Sequence, residues 1–388
     1  MKNENGNFEM LAKTMYGFES ILADEVKALG GTEIRPGNRA VRFKGSLEVL
    51  YRMNYYSRLS LKIIKPLAEF NAKDEQDLYD KTMEVDWSKI MSINQTFAIE
   101  SVVHSPHFTH SHYVALKVKD AIADRFRKDI GRRPNVDPKN PHIKVNVHIS
   151  NNRVSLSLDS SGASLHKRGY RKGHGMASLN EVLAAGMIVL SGWDKKMPLI
   201  DPMCGSGTIL IEAALMANDI PPGSFYREYL FHNWSNFDSE LYKKVISERK
   251  ENIDREIQIL GSDSSTEQIR VARLNIRNAG LSDLISLRQK EFSKLLPPSP
   301  EGMIIMNPPY GERIKHDNLV ELYKEIGDQL KTEYKGYKAY VLSAKPEALK
   351  FIGLHPSAKY VLYNGEYKSL FQEYELYEGS KKIRRSVD

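Results

Sequence analysis

The residues richest in chemistry lie in the stretch "MIIMNPPYGERI", residues 303–314. Four apolar residues lead into Asn307, Pro308, Pro309 and Tyr310. Asn307 offers a side-chain carbonyl, and Pro308 lacks an N–H but keeps a carbonyl whose direction two successive prolines restrict. Both oxygens can accept from one amine. An exocyclic base amine is a poor nucleophile because its lone pair is delocalised into the ring, and two acceptors holding its N–H groups localise that pair and aim it at an electrophile. Tyr310 adds a ring face on which a base can stack. A plain strand terminator would explain the prolines, but not the asparagine and tyrosine beside them.

Three further stretches can hold a second reactant. In "DPMCGSGT", Asp201, Cys204, Gly205, Ser206, Gly207 and Thr208 form a glycine turn that allows close backbone approach, and the helix starting at Thr208 presents free N–H groups. Leu210 stands where the NAD fingerprint wants a third glycine, and no Gly-Lys-Ser/Thr follows for a triphosphate loop. Neither a dinucleotide nor ATP is indicated. "GSDSS" ends a strand on Asp263, whose carboxylate can accept two hydrogen bonds from a ribose diol, while Ser264 with Glu267 is expected to form a capping box. "QKEF" puts Glu291 and Phe292 where a third strand ends, suited to the edge and face of an adenine. Cys204 lies in the glycine turn rather than beside the expected amine, so no nucleophilic role is expected of it.

The elements that must position these groups follow a regular order. From about residue 176, "MPLID", "IQILGSD", "MIIMN" and "KAYVLSA" alternate with helical segments, which predicts a parallel, doubly wound sheet binding ligands beyond the carboxyl ends of its strands. "KYVLY", Asn364-Gly365 and "EYKSLFQEYEL" then predict a closing antiparallel hairpin. Upstream, Phe18, Ile21, Leu22, Val26 and Leu29 share one face of a helix stopped by Gly30-Gly31, within a small α+β unit reaching residue 64. A second unit, 65–163, has a strand at "TFAIESVV" and a helical stripe of Val114, Val118, Ala121, Ile122 and Phe126. It ends in a hairpin turning at Asn151-Asn152. His104, His107, His110 and His112 crowd one loop without acid or cysteine partners, so no metal site is expected.

At 388 residues the chain should form several domains. No apolar run reaches the ~18 residues of a membrane helix, no targeting segment is visible, and the single cysteine fits a reducing compartment. A cytoplasmic location without membrane attachment is expected, and no obligate protein partner. The net charge of +7 is unevenly spread: residues 117–172 hold 14 Lys+Arg against 5 Asp+Glu, while the flanking parts are near balance. Such clustering suits a polyanion. Arg132 and Arg133, with Lys167, Arg168, Tyr170 and Arg171 of the linker-like "SLHKRGYRKGHG", are the expected RNA contacts.

Together, "DPMCGSGT", "GSDSS" and "NPPYGER" resemble the class I S-adenosylmethionine-dependent methyltransferases that modify exocyclic amines. "LHKRGYR" before them resembles the bacterial THUMP-containing 23S rRNA guanine-N2 methyltransferases. The resemblance covers essentially the whole chain. It implies an α/β fold: a ferredoxin-like domain (1–64), a THUMP RNA-binding domain (65–163), then a linker and class I methyltransferase domain (164–388) with a Rossmann-like sheet. It also implies that the Asp201–Thr208 loop surrounds the methionine part of S-adenosylmethionine, that Asp263 and Ser264 meet the ribose and Glu291-Phe292 the adenine, and that Asn307, Pro308 and Tyr310 hold the target base. Where the family has a proline in "MASLNEVLAAG", this chain has Ser178. Ribosomal RNA of the large subunit is the first expected substrate. A tRNA guanine-N2 enzyme, an adenine-N6 or protein glutamine methyltransferase, and an inactive RNA-binding assembly factor stay open as alternatives.

Overall fold

A computed structural model describes residues 6–171, 179–225, 228–248, 256–309 and 316–378. The chain forms two compact units. The first comprises Met1–Thr14, Leu22–Lys167 and Tyr226–Glu248, and the second comprises the rest.

The first unit is built on one seven-stranded sheet. Its elements are β1 (Phe8–Lys13), α1 (Glu19–Ala28), β2 (Thr32–Gly37), β3 (Ala40–Gly45), α2 (Leu47–Tyr56), β4 (Lys62–Asn71), α3 (Glu75–Met83), β5 (Phe97–His104), α4 (Ser111–Ile130), β6 (Ile143–Ser150) and β7 (Arg153–Asp159). The strand order is β2-β3-β1-β4-β7-β6-β5. Period-two alternation buries Met10, Ala12, Val41, Phe43, Ile63, Val145, Val147, Val154 and Leu156 on one face. The α4 stripe is buried as its spacing predicts, and Gly131 closes the helix at φ 72°. The expected boundary between residues 64 and 65 falls inside β4, which pairs with β1 on one side and β7 on the other. Pro66 sits at a register shift in β4, which breaks the alternation that would have marked the strand.

The second unit holds α5 (Glu181–Ser191), β8 (Leu199–Asp201), α6 (Thr208–Ala217), β9 (Ile259–Asp263), α8 (Thr266–Asn278), β10 (Ile285–Gln289), β11 (Gly302–Met306), α9 (His316–Thr332), β12 (Tyr337–Ser343), β13 (Ala358–Asn364) and β14 (Tyr367–Glu375). The order β10-β9-β8-β11-β12-β14-β13 is parallel through β12, and β14 runs antiparallel to both its neighbours, as the hairpin signal predicts. The order reverses between β8 and β11, opening the crevice in which such sheets bind ligands. Leu210 of α6 occupies the space where Gly261 of β9 has no side chain: a Cβ there would come within 2.2 Å of it. The close helix–strand approach expected of a third loop glycine is thus obtained from the strand. Phe18, expected on the apolar face of α1, precedes that helix and packs on Gly186 of α5 instead, where a Cβ would meet its ring at 2.1 Å.

Between β8 and β9 in sequence, Tyr226–Glu248 counts with the first unit. Its helix α7 (Ser239–Ser247) is capped by Asp238 and lies along α2. Asp238 N–H donates to Tyr51 Oη at 2.9 Å, Tyr56 Oη donates to the Val245 carbonyl at 2.9 Å, and Arg52 pairs with Glu248. No described helix is long and apolar enough to cross a membrane.

Candidate active site

At the carboxyl ends of β8 and β9 the loop 201–208 is held by its own backbone and by side chains from neighbouring elements. The Cys204 N–H donates to the Ser262 carbonyl and the Gly207 N–H to the Cys204 carbonyl. Gly205 at φ 51° and Gly207 at φ 80° turn the chain through the left-handed region, where glycine is favoured. Asp263 ends β9 and accepts from the Gly205 N–H at 3.0 Å and from Ser265 N–H at 2.9 Å, so it ties the loop to the next strand. Asn275 of α8 donates to the Ser206 carbonyl at 3.0 Å. Sequence reasoning passed over Asn275, although a polar residue between Ala272 and Ile276 on the buried face of α8 was the available signal. Among the described residues a Cβ on Gly205 would find only the far end of Gln268, at 3.9 Å, which leaves the backbone open to a ligand.

Asp201 is buried, with one oxygen accepting from Met203 N–H at 3.2 Å. Burial pushes its carboxyl well above the ordinary range, and the nearby Asp263 charge adds to that. Burial, Asp201 and Asp263 push the Cys204 thiol up in the same way, so it stays protonated and is no nucleophile.

β11 delivers Asn307 and Pro308 to the same edge of the sheet. Met303 to Met306 are buried, as are Leu199 and Ile200 of the adjacent β8. Asn307 Oδ1 is buried and has no hydrogen-bond partner among the described residues. A buried acceptor of this kind costs about 1–3 kcal/mol unless something donates to it. Pro308 is buried and Pro309 half-buried, while Tyr310 and Ser178 lie outside the described residues.

Several expected contacts stand elsewhere. Arg168 and Tyr170, expected on RNA, are interior: 2% and 1% exposed. Arg168 pairs with the fully buried Glu212 of α6 at 3.4 Å, and the Tyr170 ring lies against Phe225. Arg171 donates to Thr208 Oγ1 at 2.8 Å and to the Leu179 carbonyl at 3.1 Å, beside Glu181. Basic density signalled a surface, but the cations are drawn inward by two buried glutamates. Lys167, Arg132 and Arg133 are exposed. Ser265 rather than Ser264 caps α8, accepting from Gln268 N–H, because Asp263 holds the Ser265 amide; Glu267 pairs with Arg270 instead. Glu291 is exposed and pairs with Lys294, whereas the Phe292 ring is buried against Tyr334 in the core.

Comparison with known proteins matches this architecture. Residues 168–373 fit the family described as the RMKL-like methyltransferase domain, 72–159 the THUMP domain and 9–64 the RlmL ferredoxin-like domain. A candidate RNA methyltransferase of Synechocystis, slr0064, is 39% identical over 93% of this chain and 95% of its own length. The ribosomal RNA large subunit methyltransferase K/L of Syntrophotalea carbinolica is 37% identical over 93% of this chain, which spans only 53% of that protein. The crystal structure of SMU.472, a methyltransferase candidate complexed with SAH, is 28% identical, with a TM-score of 0.87 over 97% of this chain and 100% of that one. With that family model spanning more than half of its length and a relative this similar throughout, the chain belongs to the RMKL-like methyltransferase family.

Proposed function

We propose that this chain transfers the methyl group of S-adenosylmethionine to the exocyclic N2 amine of a guanine in RNA, with 23S ribosomal RNA as the first substrate to test. The observation that carries the reading is the buried Asn307 Oδ1, without a partner among the described residues, at the switch point of the sheet. A target amine would supply the missing donor, with the Pro308 carbonyl as the second acceptor. The fit of the methyl donor rests on the open backbone at Gly205 and on the Asp263 carboxylate at the end of β9. When bound, S-adenosylmethionine supplies a methyl group already made electrophilic by its sulfonium.

The remaining work is positional. Asn307 and Pro308 hold the amine hydrogens and direct its lone pair, and correct alignment contributes up to roughly 7–11 kcal/mol in favourable cases. The 201–208 loop, pinned by Asp263 and Asn275, sets the donor's place. Asn307→Ala should lower turnover by on the order of 100-fold, as loss of one aimed polar group does, while calorimetric affinity for S-adenosylmethionine stays within about twofold. Asp263→Ala should do the reverse, weakening donor binding by about tenfold, or ~1.4 kcal/mol. Full methylation of ribosomal RNA by Asn307→Ala would reject the amine contact. Nucleoside mass spectrometry of RNA from a strain lacking the gene identifies the modified base, and an unmethylated adenine N6 there would replace guanine in this reading.

A further inference from the structure

Opposite its buried face, the sheet of the first unit carries a polar cluster at its centre. The register sets Lys13 of β1 directly across from Lys62 of β4, Ile64 across from Asp159, Ser157 across from Asn146, and Asn146 across from Glu100. Lys144 and His148 flank Asn146 at two-residue spacing and share its face. Like charges placed directly opposite one another are destabilising, so the Lys13–Lys62 pair needs a reason.

Glu100 and Asp159 offset the repulsion only at a distance, because their oxygens are bonded elsewhere. Lys62 bonds Asp159 at 2.8 Å and Glu100 at 2.9 Å, and Lys144 takes Glu100 at 2.8 Å. The other Asp159 oxygen accepts from the Ser161 and Gly162 N–H groups. Lys13 is left with the Asn146 side-chain oxygen at 3.3 Å and no ion pair among the described residues. Asn146 is 5% exposed, and its Nδ2 has no acceptor among the described residues. Reversing the amide would turn its N–H groups toward the Lys13 ammonium, so the lysine charge fixes the oxygen on its side and leaves the N–H groups on the other. The network ends in an ammonium that feels Glu100 and Asp159 without a direct ion pair among the described residues, and in an amide N–H with no acceptor among them. Burial and then Lys62 hold the Lys13 ammonium below its ordinary value although Glu100 and Asp159 oppose them, and burial, Lys13 and His104 do the same to the His148 imidazole. His148 and His104, whose rings are 6.1 Å apart, are exposed at the rim of the cluster.

We propose that Lys13, Asn146 and His148 form a phosphate seat on this sheet face, occupied by a backbone phosphodiester of the RNA substrate. The ligand class follows from the cluster, since a tetrahedral oxyanion offers acceptors to the ammonium, the amide and the ring N–H together. The choice of RNA as its source rests on the proposed function. Free phosphate is the other source of the same chemistry.

The test uses the full chain. Binding of deproteinised 23S ribosomal RNA is followed against salt for the parent, Lys13→Gln and Asn146→Leu, with Lys44→Gln as a control for a cation already paired with Glu33. One lost phosphate contact should reduce the magnitude of the log–log salt slope by about 0.7–0.9 in Lys13→Gln, with weaker binding in Asn146→Leu and no change in Lys44→Gln. Thermal unfolding of Lys13→Gln should match or exceed the parent, because a like-charge pair is removed. Calorimetry with inorganic phosphate should show uptake by the parent and none by Lys13→Gln. Phosphate uptake lost in Lys13→Gln with an unchanged RNA slope supports the seat but overturns RNA as its occupant. An unchanged slope and no phosphate uptake by the parent overturn the proposal. Methylation of guanine is read separately by nucleoside analysis, so failure of the catalytic reading is distinguishable from failure of the seat.

Discussion

Asp201 is an acid placed where its charge is disfavoured. A folded-state pKa above the unfolded one means that the native state binds the proton more tightly, so stability is fullest below the ordinary carboxylate value of about 4 and declines as pH rises toward the raised value. Asp201→Asn keeps an acceptor for Met203 N–H and removes the charge. Its urea midpoint should exceed the parent's at pH 8 and approach it near pH 4. Equal midpoints at both pH values would show that Asp201 is not strained by its charge. The neighbouring Asp263 behaves differently: half-buried, it accepts two backbone N–H groups and remains suited to hold a diol. Two acids at one glycine turn thus differ in burial: Asp201 is interior, and the half-buried Asp263 is the one proposed to hold the methyl donor.

At the scale of elements, α6 is apolar after Thr208 except for Glu212. A fully buried carboxylate there requires a cation, and the chain just before α5 provides Arg168. Removing one partner of such a pair costs about 3–5 kcal/mol, whereas replacing both with apolar residues of similar volume is near neutral or stabilising. Glu212→Ala should therefore lower unfolding stability by that amount, and Arg168→Met combined with Glu212→Leu should restore it, as measured by urea denaturation at pH 7. A double variant as unstable as the single one would assign the loss to packing around α6 rather than to the unpaired charge. The same segment carries Arg171 to Thr208 at the head of α6, so the stretch read as an RNA contact instead braces the loop proposed to hold the methyl donor.

Over the whole chain, the basic surplus of residues 117–172 is smaller at the surface than its count implies. Arg125, Arg127, Lys144 and Arg153 are paired with Asp129, Asp124, Glu100 and Glu69, and Arg168 is interior. Lys128, Arg132, Arg133 and Lys139 form no ion pair among the described residues, and they cluster at and after the end of α4. Reversing the charge of Arg132 and Arg133 together should weaken binding to RNA of any sequence and make it less salt-dependent, the mark of lost phosphate contacts. Unchanged filter binding at 0.05 M salt, an ionic strength of roughly the low range in which such contacts dominate, would leave α4 as a solvated face.

By itself the sequence determined the second unit's strand–helix alternation, the closing hairpin, and the place of Asp201, Asp263 and Asn307 at strand ends, because apolar periodicity, glycine turns and proline restrictions act over a few neighbouring residues. It could not decide which cations face water. Arg168 lies 44 residues from Glu212 and Lys13 lies 133 from Asn146, and local patterning carries no record of a partner that distant. Only the folded sheet brings such groups together, which is also why β4 joins two expected domains into one sheet and why a segment from the second unit's sequence packs on α2. Burial and charge pairing are properties of the tertiary contacts, and they turned one run of basic residues partly into an internal brace.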